Sequence, residues 1–160
     1  MENMKMAEDC YLSSPVGWLR ISADPTGLTA ITFIDEPPKT VPQVSLSHLK
    51  EAYRQLSEYF RGERLAFSLP LNPNGTDFQR SVWHSLTKIP FGTTASYKAV
   101  AASIGCPGGA RAVGMANNKN PLPIVVPCHR VIGVTGSLVG YASGIAIKRR
   151  LLAIEGCELN

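Results

Sequence analysis

The sequence predicts an α+β protein, with a small N-terminal α/β lobe that contains an antiparallel sheet and a mainly helical C-terminal domain with a winged-helix-like helix-turn-helix. Three observations predict this fold class. Short β-like runs and one amphipathic helix occupy residues 1–72, helical segments separated by glycine turns occupy residues 76–160, and PLNPNGT at 70–76 interrupts both periodicities. A chain of 160 residues is long enough for two such small domains.

The N-terminal lobe is predicted from strand signals and one helix. WLRISA at 18–23 and LTAITFI at 28–34 flank DPTG, a turn sequence, and LAFSLPL at 65–71 predicts a further strand. LSHLKEAYRQLSEYFRGE has helical periodicity and ends at Gly62. Its predicted apolar face consists of Leu49, Ala52, Tyr53, Leu56, Tyr59 and Phe60. No group of residues in the lobe suggests catalysis, so we interpret it as a scaffold.

The C-terminal domain is predicted to begin with a helix at about 77–88, because Thr76 and Gln79 form a capping-box pattern. The predicted apolar stripe of this helix is Phe78, Val82 and Leu86. SYKAVAASIG at 96–105 and ARAVGMANN at 110–118 then predict two short helices joined by a CPGG turn. This arrangement is typical of a helix-turn-helix.

The rest of the domain is predicted to be extended, then irregular, then helical. NPLPIVVP at 120–127 contains three prolines, and the last of them disfavours helix at Val126, so IVVP is predicted to be a short buried strand that leads to Cys128. GVTGSLVGYASG at 133–144 is rich in glycine and predicts a loop. IAIKRRLLAIEG at 145–156 predicts a last helix.

Charge is distributed unevenly between the two halves. Residues 1–77 contain ten acids and seven Lys or Arg, a net charge of −3, whereas residues 78–160 contain two acids and nine Lys or Arg, a net charge of +7. No Asp or Glu occurs from Phe78 to Ile154. This asymmetry indicates a polyanionic partner, with nucleic acid as the first candidate and a merely basic surface as the alternative.

Composition and cysteine spacing narrow the class of protein. No apolar run approaches the roughly 18 residues that span a membrane, and MENMKMAEDC lacks the apolar core of a signal peptide, so we expect a cytoplasmic protein, or a nuclear one in a cell with a nucleus. The four cysteines show no metal-binding or thioredoxin-type spacing. We interpret Cys10, Cys106 and Cys157 as ordinary small hydrophobic residues.

Cys128 differs from the other cysteines because His129 and Arg130 follow it in an otherwise apolar segment, IVVPCHRVIG. A thiol becomes a nucleophile when cations or hydrogen-bond donors stabilise its thiolate, and His129 is the obvious base. A histidine base needs a third group to orient it, and Glu155 is the best candidate in this acid-poor half. Neighbouring side chains of a strand point to opposite faces, so contact would need a bridging water or a turn.

IVVPCHRVIG resembles the active-site signature of the O6-alkylguanine-DNA alkyltransferases, also called methylated-DNA–protein-cysteine methyltransferases. The resemblance runs from Thr76 to Gly156 and includes GARAVG and NP upstream of PCHR, and YASG and KRRLLAIEG downstream. It implies that Cys128 is the alkyl acceptor, that His129 is a water-mediated base held by Glu155, and that the two regions act as a scaffold and as a DNA-binding, alkyl-accepting domain.

The resemblance also implies roles for residues around this centre. Asn120 is expected to fix the turn before the acceptor, Tyr97 to assist departure of the guanine oxygen, and Arg111 to fill the gap that a flipped base leaves. Other residues expected to contact DNA are Ala110, Ser96, Lys119 and Arg130. Residues expected to form the substrate pocket are Val131, Tyr141, Ala142, Ser143 and Lys148, with the carbonyls of Cys128 and Val131 accepting from the guanine amino group. Ser143 departs from the family, which commonly has glycine there.

The implied function is direct-reversal DNA repair. The protein would flip an O6-alkylated guanine, or O4-alkylthymine as a second candidate, out of duplex DNA and transfer the alkyl group irreversibly to Cys128. A thioether is a poor leaving group, and the sequence contains no second nucleophile placed to release it, so each molecule would react once. We expect a monomer whose partner is double-stranded DNA with alkylated bases, with no cofactor, no metal and no membrane association.

Four alternatives remain at this point. Some relatives bind alkylated bases without transferring anything, but they lack the acceptor cysteine. A helix-turn-helix regulator would leave Tyr97, Asn120 and Glu155 without a role. A cysteine hydrolase would suit Cys128, His129 and Glu155, but not the basic half. A regulatory function linked to alkylation usually comes with an additional cysteine-rich domain.

Overall fold

A computed structural model of the chain describes residues 7–133 and 144–157 and divides the chain into two compact units, Met1–Asn74 and Gly75–Asn160. In the first unit, strands β1 (Glu8–Ser14), β2 (Gly17–Asp24) and β3 (Gly27–Ile34) form an antiparallel sheet in that order, and helix α1 covers Ser47–Phe60.

The β2–β3 hairpin follows the predicted turn. Asp24 Oδ1 accepts hydrogen bonds from the backbone N–H of Thr26 at 2.8 Å and of Gly27 at 3.1 Å. This side-chain bonding is the reason that Asp is favoured at the start of such turns. Leu19 and Ile21 of β2 are fully buried and alternate with more exposed neighbours, as expected of a sheet with one core face.

The predicted face of α1 is only partly correct. Leu49, Ala52, Leu56 and Tyr59 are fully buried, but Tyr53 is 43% exposed. A polar residue that the predicted face did not include, Gln55, is buried. The Gln55 side chain is buried because its amide donates to Ser68 O at 3.2 Å and accepts from Ser68 N at 2.9 Å, and these bonds compensate its desolvation.

The strand predicted at 65–71 is wrong. Only Leu71 forms a bridge, with Leu28, and the rest of the segment is irregular. Leu28 N donates to Pro70 O at 2.9 Å and Asn72 N donates to Leu28 O at 2.7 Å. Proline has no N–H to continue a ladder, so Pro70 limits the pairing to this short contact.

The second unit is mainly helical. It contains α2 (Asp77–Leu86), β4 (Ala95–Ser96), α3 (Tyr97–Ser103), α4 (Ala110–Asn118), a 3₁₀ helix (Cys128–Arg130), β5 (Val131–Ile132) and α5 (Ile145–Ile154). Strands β4 and β5 pair in parallel. The core residues that are fully buried are Val82, Leu86, Val113, Leu122, Ile124, Val131 and Leu151.

In helix α2 the predicted capping box is confirmed, but the buried face differs from the predicted apolar stripe. Thr76 accepts from Gln79 N, and the Gln79 side chain accepts from Thr76 N. Phe78 is 36% exposed, so the predicted stripe is wrong at this residue. Trp83 is buried instead, and its Nε1–H donates to Ala116 O on α4 at 2.8 Å. This bond holds α4 against α2.

The strand predicted for IVVP is also wrong. Val126 N donates to Leu122 O at 2.9 Å, and Ile124 has a positive φ of 77°, so the segment is a tight turn. Asn120 closes this turn, because its Nδ2 donates to Val126 O at 2.8 Å and its Oδ1 accepts from Leu122 N at 2.9 Å. These side-chain bonds offer the backbone an alternative to a ladder.

The glycine-rich loop predicted at 133–144 lies outside the described residues except for its two ends. Within 7–133 and 144–157, none of the helices has the length and apolar character that crossing a bilayer requires.

Candidate active site

Cys128 begins the 3₁₀ helix that follows the tight turn. Its side chain is buried, at 4% exposed, and Cys128 N donates to Val126 O at 2.7 Å. Consecutive residues of a 3₁₀ helix are about 120° apart around the axis, since the helix has about 3.0 residues per turn. Cys128 and His129 therefore do not point to opposite faces, as they would in the strand that the sequence predicted.

Three charged or ionisable side chains form a buried cluster beside Cys128. His129 Nε2 lies 2.7 Å from Glu155 Oε2, at the C-terminal end of α5. Arg130 Nε donates to Glu155 Oε1 at 2.8 Å, and a terminal nitrogen of the same guanidinium donates to Glu155 Oε2 at 2.9 Å. All three residues are at most 5% exposed. This two-point Arg–carboxylate geometry keeps Glu155 ionised and stationary.

The cluster determines which nitrogen of His129 is basic. The pKa of His129 is lowered, mainly because the side chain is buried. The hydrogen bond and the charge of Glu155 oppose this shift, and the positive charges of Arg130 and Lys148 add to it. The imidazole is therefore neutral near pH 7, and the tautomer that fits carries its proton on Nε2 and donates it to Glu155. Nδ1 is then an acceptor, and it is buried without a hydrogen-bond partner among residues 7–133 and 144–157.

Lys148 and Tyr97 lie close to the thiol. The buried Lys148 Nζ donates to Val131 O at 2.6 Å and stands 5.9 Å from the centre of the Tyr97 ring. Burial lowers the pKa of Lys148 to about 8, and the negative charge of the Cys128 thiolate opposes this shift. Burial and the same negative charge raise the pKa of Tyr97, so its phenol stays protonated.

Asn117 is a residue of this site that sequence reasoning missed. It is 2% exposed on the inner face of α4, and its Nδ2 donates to Cys128 O at 3.3 Å. Cys128 O also accepts from Val131 N, so both of its lone pairs are in use. The guanine amino group could use this carbonyl, as predicted, only by displacing a donor. An asparagine in a helix gives no sequence signal of such a contact, because the contact depends on tertiary packing.

The structure contradicts the prediction that Arg130 contacts DNA. Arg130 is 5% exposed, and besides its bonds to Glu155 its remaining terminal nitrogen donates to Ile89 O at 2.6 Å. Its guanidinium also stands 5.9 Å from the centre of the Phe91 ring. A buried cation with these partners cannot reach a phosphate. Arg130 instead neutralises Glu155.

The other residues predicted to contact DNA are at or near the surface. Arg111 and Lys119 are exposed at the two ends of α4, and Ala110 is half-buried at its start. Ser96 caps α3, because its Oγ accepts from Ala99 N at 2.9 Å. The predicted pocket residues Tyr141, Ala142 and Ser143 lie outside the described residues. Val131 and Lys148 are joined by the bond already given.

In the described part of the chain, no group of three or more His, Cys, Asp or Glu side chains is placed to hold a metal ion. All four cysteines are free thiols.

Two family models match this chain. The model described as 6-O-methylguanine DNA methyltransferase, DNA binding domain, matches residues 77–157, and the model described as 6-O-methylguanine DNA methyltransferase, ribonuclease-like domain, matches residues 10–73. Together they account for both structural units.

Individual relatives are similar over nearly the whole length. A methylated-DNA–protein-cysteine methyltransferase of Methanosarcina acetivorans is 48% identical over 147 residues, 89% of this chain and 94% of the relative. One from Mycolicibacterium paratuberculosis is 44% identical over 153 residues, 94% of this chain and 93% of the relative.

A solved structure agrees with these matches. The crystal structure of Mycobacterium tuberculosis OGT in complex with DNA has a TM-score of 0.83 and 44% identity, and covers 92% of this chain and 91% of that one. The resemblance inferred from the PCHR segment is thereby confirmed, since sequence and fold agree across both units. This chain belongs to the 6-O-methylguanine DNA methyltransferase family.

Proposed function

We propose that this protein repairs DNA by direct reversal, taking the alkyl group from O6 of an alkylated guanine in duplex DNA and bonding it irreversibly to Cys128 Sγ. One observation carries the proposal: the buried His129 has one ring nitrogen committed to Glu155 and the other, Nδ1, available as a base next to a buried thiol. Membership of the family supports the choice of substrate.

The thiol is activated by proton transfer to His129. A water molecule can carry the proton from Sγ to Nδ1, and the imidazolium that forms is stabilised by the Glu155 carboxylate at 2.7 Å. The ammonium of Lys148 adds a positive charge close to the thiolate. Arg130 keeps Glu155 ionised throughout, so the carboxylate does not take the proton itself.

Displacement then occurs at the alkyl carbon. The thiolate forms an S–C bond as the C–O6 bond breaks, and the guanine leaves with the electron pair. Tyr97 donates a proton to the departing base, and the proton held on His129 restores the phenol through water. A raised pKa keeps Tyr97 protonated for this role. The net products are guanine and a thioether on Cys128, and nothing in the described site can cleave the thioether, so each molecule reacts once.

Access to the alkylated base requires DNA binding and base extrusion. Of the nine Lys and Arg in residues 78–160, all except Arg130 and Lys148 are exposed, and this supports a duplex partner. Arg111, exposed at the start of α4, is the side chain that would occupy the gap left by the extruded nucleotide. Thiol, base and carboxylate all come from the second unit of one chain, which supports action as a monomer.

The test is intact mass and peptide mapping after incubation with a duplex that contains one O6-methylguanine. One methyl group should appear on the peptide that carries Cys128, and the product should plateau at one equivalent per protein. Cys128→Ser should acquire none. Methylation of Cys106, which is exposed, or continued turnover with excess substrate, would contradict the proposal.

A further inference from the structure

The outer surface of α4 presents one large apolar side chain between two cations. Arg111, Met115 and Lys119 are spaced four residues apart and are all exposed; we call them the outer stripe. The opposite side of the helix is buried through Val113 and Ala116. Residues four apart lie on the same face of a helix, so the three side chains of the outer stripe stand side by side.

Met115 is 65% exposed, more than any other large hydrophobic side chain in the described part of the chain. Single exposed hydrophobic residues are common on protein surfaces, so exposure alone assigns no role. The position of Met115 is what distinguishes it. It lies in the middle of a cationic stripe, in a region from Phe78 to Ile154 without any acid, where the surface charge fits a polyanion.

The helix that carries Met115 also contacts the acceptor. Asn117, two residues away on the inner face, donates to the carbonyl of Cys128 at 3.3 Å. A nucleotide that reaches Cys128 must therefore leave the duplex close to α4. Arg111 and Met115 are about 6 Å apart along the helix axis. Base pairs are about 3.4 Å apart, so the two side chains can reach positions at most about two base steps from each other.

We propose that Met115 contacts the bases next to the extruded nucleotide and helps to hold the duplex open there, which makes it a specificity-determining residue for duplex over free-base substrates. This inference rests on the proposed function. Apolar side chains, methionine among them, insert between base steps and unstack them in other DNA-binding proteins. An unbranched thioether side chain is also flexible enough to follow an irregular gap. Arg111 supplies charge at the opening, and Met115 supplies apolar contact beside it.

The experiment compares the rate of Cys128 alkylation by methylated duplex with the rate for the free base O6-benzylguanine. For Met115→Ala, the ratio of the duplex rate to the free-base rate should fall roughly tenfold, because most of a buried methionine contact is lost. Met115→Leu should retain most of the ratio. Leu65→Ala, which truncates another exposed hydrophobic side chain at 60% exposure in the first unit, is the matched control and should leave the ratio unchanged.

A second measurement separates apolar contact from charge. In a Cys128→Ser background, affinity for the methylated duplex is measured over a series of salt concentrations. Met115→Ala should weaken binding at every concentration without changing the slope of log affinity against log salt, because no counterion is released by an apolar contact. An unchanged rate ratio, or a slope that falls as much as in Lys119→Gln, would overturn the inference.

The two proposals fail in different ways. If the wild type is alkylated by both substrates and Met115→Ala behaves identically, only the role of Met115 is wrong. If neither substrate alkylates the wild type at Cys128, the proposed function is wrong and the role of Met115 falls with it.

Discussion

The single carboxylate of Glu155 binds the side chains of two neighbouring residues, His129 and Arg130. Its oxygens accept from Arg130 at 2.8 and 2.9 Å and from His129 at 2.7 Å, and the backbone N–H of Gly92 lies 3.4 Å from Oε1. The arginine keeps the carboxylate charged in an interior where burial disfavours charge. The carboxylate in turn orients His129. The orientation of His129 therefore depends on a buried cation that it does not itself contact through a hydrogen bond in the described residues.

Removing that cation should destabilise the second unit. In Arg130→Met, Glu155 stays buried with only His129 to balance it, and the free energy of unfolding should fall by about 3–5 kcal/mol. Urea denaturation followed by Trp83 fluorescence, in a Trp18→Phe background, reports on this unit. Arg54→Met is the control, because Arg54 also pairs with two carboxylates, Glu51 and Glu58, but at the surface, and its loss should change stability little. Equal effects of the two substitutions would contradict the account of Arg130.

Because of Lys148, the free energy of unfolding should change with pH in the alkaline range. Burial lowers its pKa from 10.5 to about 8 in the folded protein. Between these two values the unfolded chain holds a proton that the folded chain has released, so the contribution of Lys148 to the free energy of unfolding rises with pH. The total rise is roughly 3 to 4 kcal/mol, since the two pKa values differ by about 2.5 units and each unit corresponds to about 1.4 kcal/mol.

The predicted increase of the free energy of unfolding with pH can be checked by comparing the wild type with a variant that lacks Lys148. The free energy of unfolding of the wild type minus that of Lys148→Met should increase across the window from pH 8 to 10.5, and should be constant below it. Subtraction removes the contributions of titrating groups that do not interact with Lys148. Both proteins are measured in a Cys128→Ser background, because the charge of Cys128 acts on Lys148. A difference that stays flat across the window would mean that the Lys148 ammonium is not destabilised by burial.

At the level of elements, α4 connects the exposed outer stripe with Cys128. Its outer stripe is exposed, while its inner face is held by Trp83 of α2 and reaches Cys128 through Asn117. Helix α2 is in turn fixed by the capping box at its N-terminus. A side chain on Gly75 would come within 2.6 Å of the Trp83 ring, so the chain just before the cap must pass very close to this tryptophan.

The capping box should therefore contribute measurable stability. Thr76→Ala removes the acceptor for Gln79 N and should lower the free energy of unfolding by about 1 kcal/mol. Thr87→Ala is a matched control on the same helix, because Thr87 Oγ1 only donates to His84 O at the exposed C-terminal end. Urea denaturation of both variants, again by Trp83 fluorescence, makes the comparison. A loss for Thr87→Ala as large as for Thr76→Ala would mean that the cap is not the cause.

At the level of the whole molecule, charge is distributed unevenly between the two units. The sequence that carries the exposed cations of the second unit contains no acid from Phe78 to Ile154. In the first unit, by contrast, three arginines pair with glutamates: Arg54, Arg61 and Arg64. Unpaired surface cations bind phosphates and release counterions, so affinity for DNA should depend on salt through the second unit.

The salt dependence of duplex binding tests whether the cations of the second unit contact the DNA. In a Cys128→Ser background, Arg111→Gln and Lys119→Gln should each reduce the slope of log affinity against log salt by about 1. Arg61→Gln changes the same net charge in the first unit and should leave the slope unchanged. Equal slopes for all three variants would mean that binding responds only to net charge.

The sequence alone determined the features of this protein that depend on neighbouring residues. The capping box at Thr76, the DPTG hairpin, the bounds of the helix at 110–118 and the PCHR signature each involve residues a few positions apart, so their residue types carry the information. Family membership followed from the same short motifs. Glu155 was also identified from the sequence, because few acids compete with it in the basic half.

Only the tertiary structure decided which polar residues are buried and what they contact. Arg130 bonds Ile89, 41 residues away, and the Lys148–Val131 and Asn117–Cys128 bonds join separate elements. The tight turn at Ile124 replaced a predicted strand because Asn120 supplies its closing hydrogen bonds. Burial of a charge depends on partners that packing brings together, and no local pattern specifies those partners. For this reason an arginine predicted to contact DNA proved to be the interior counterion of the active site.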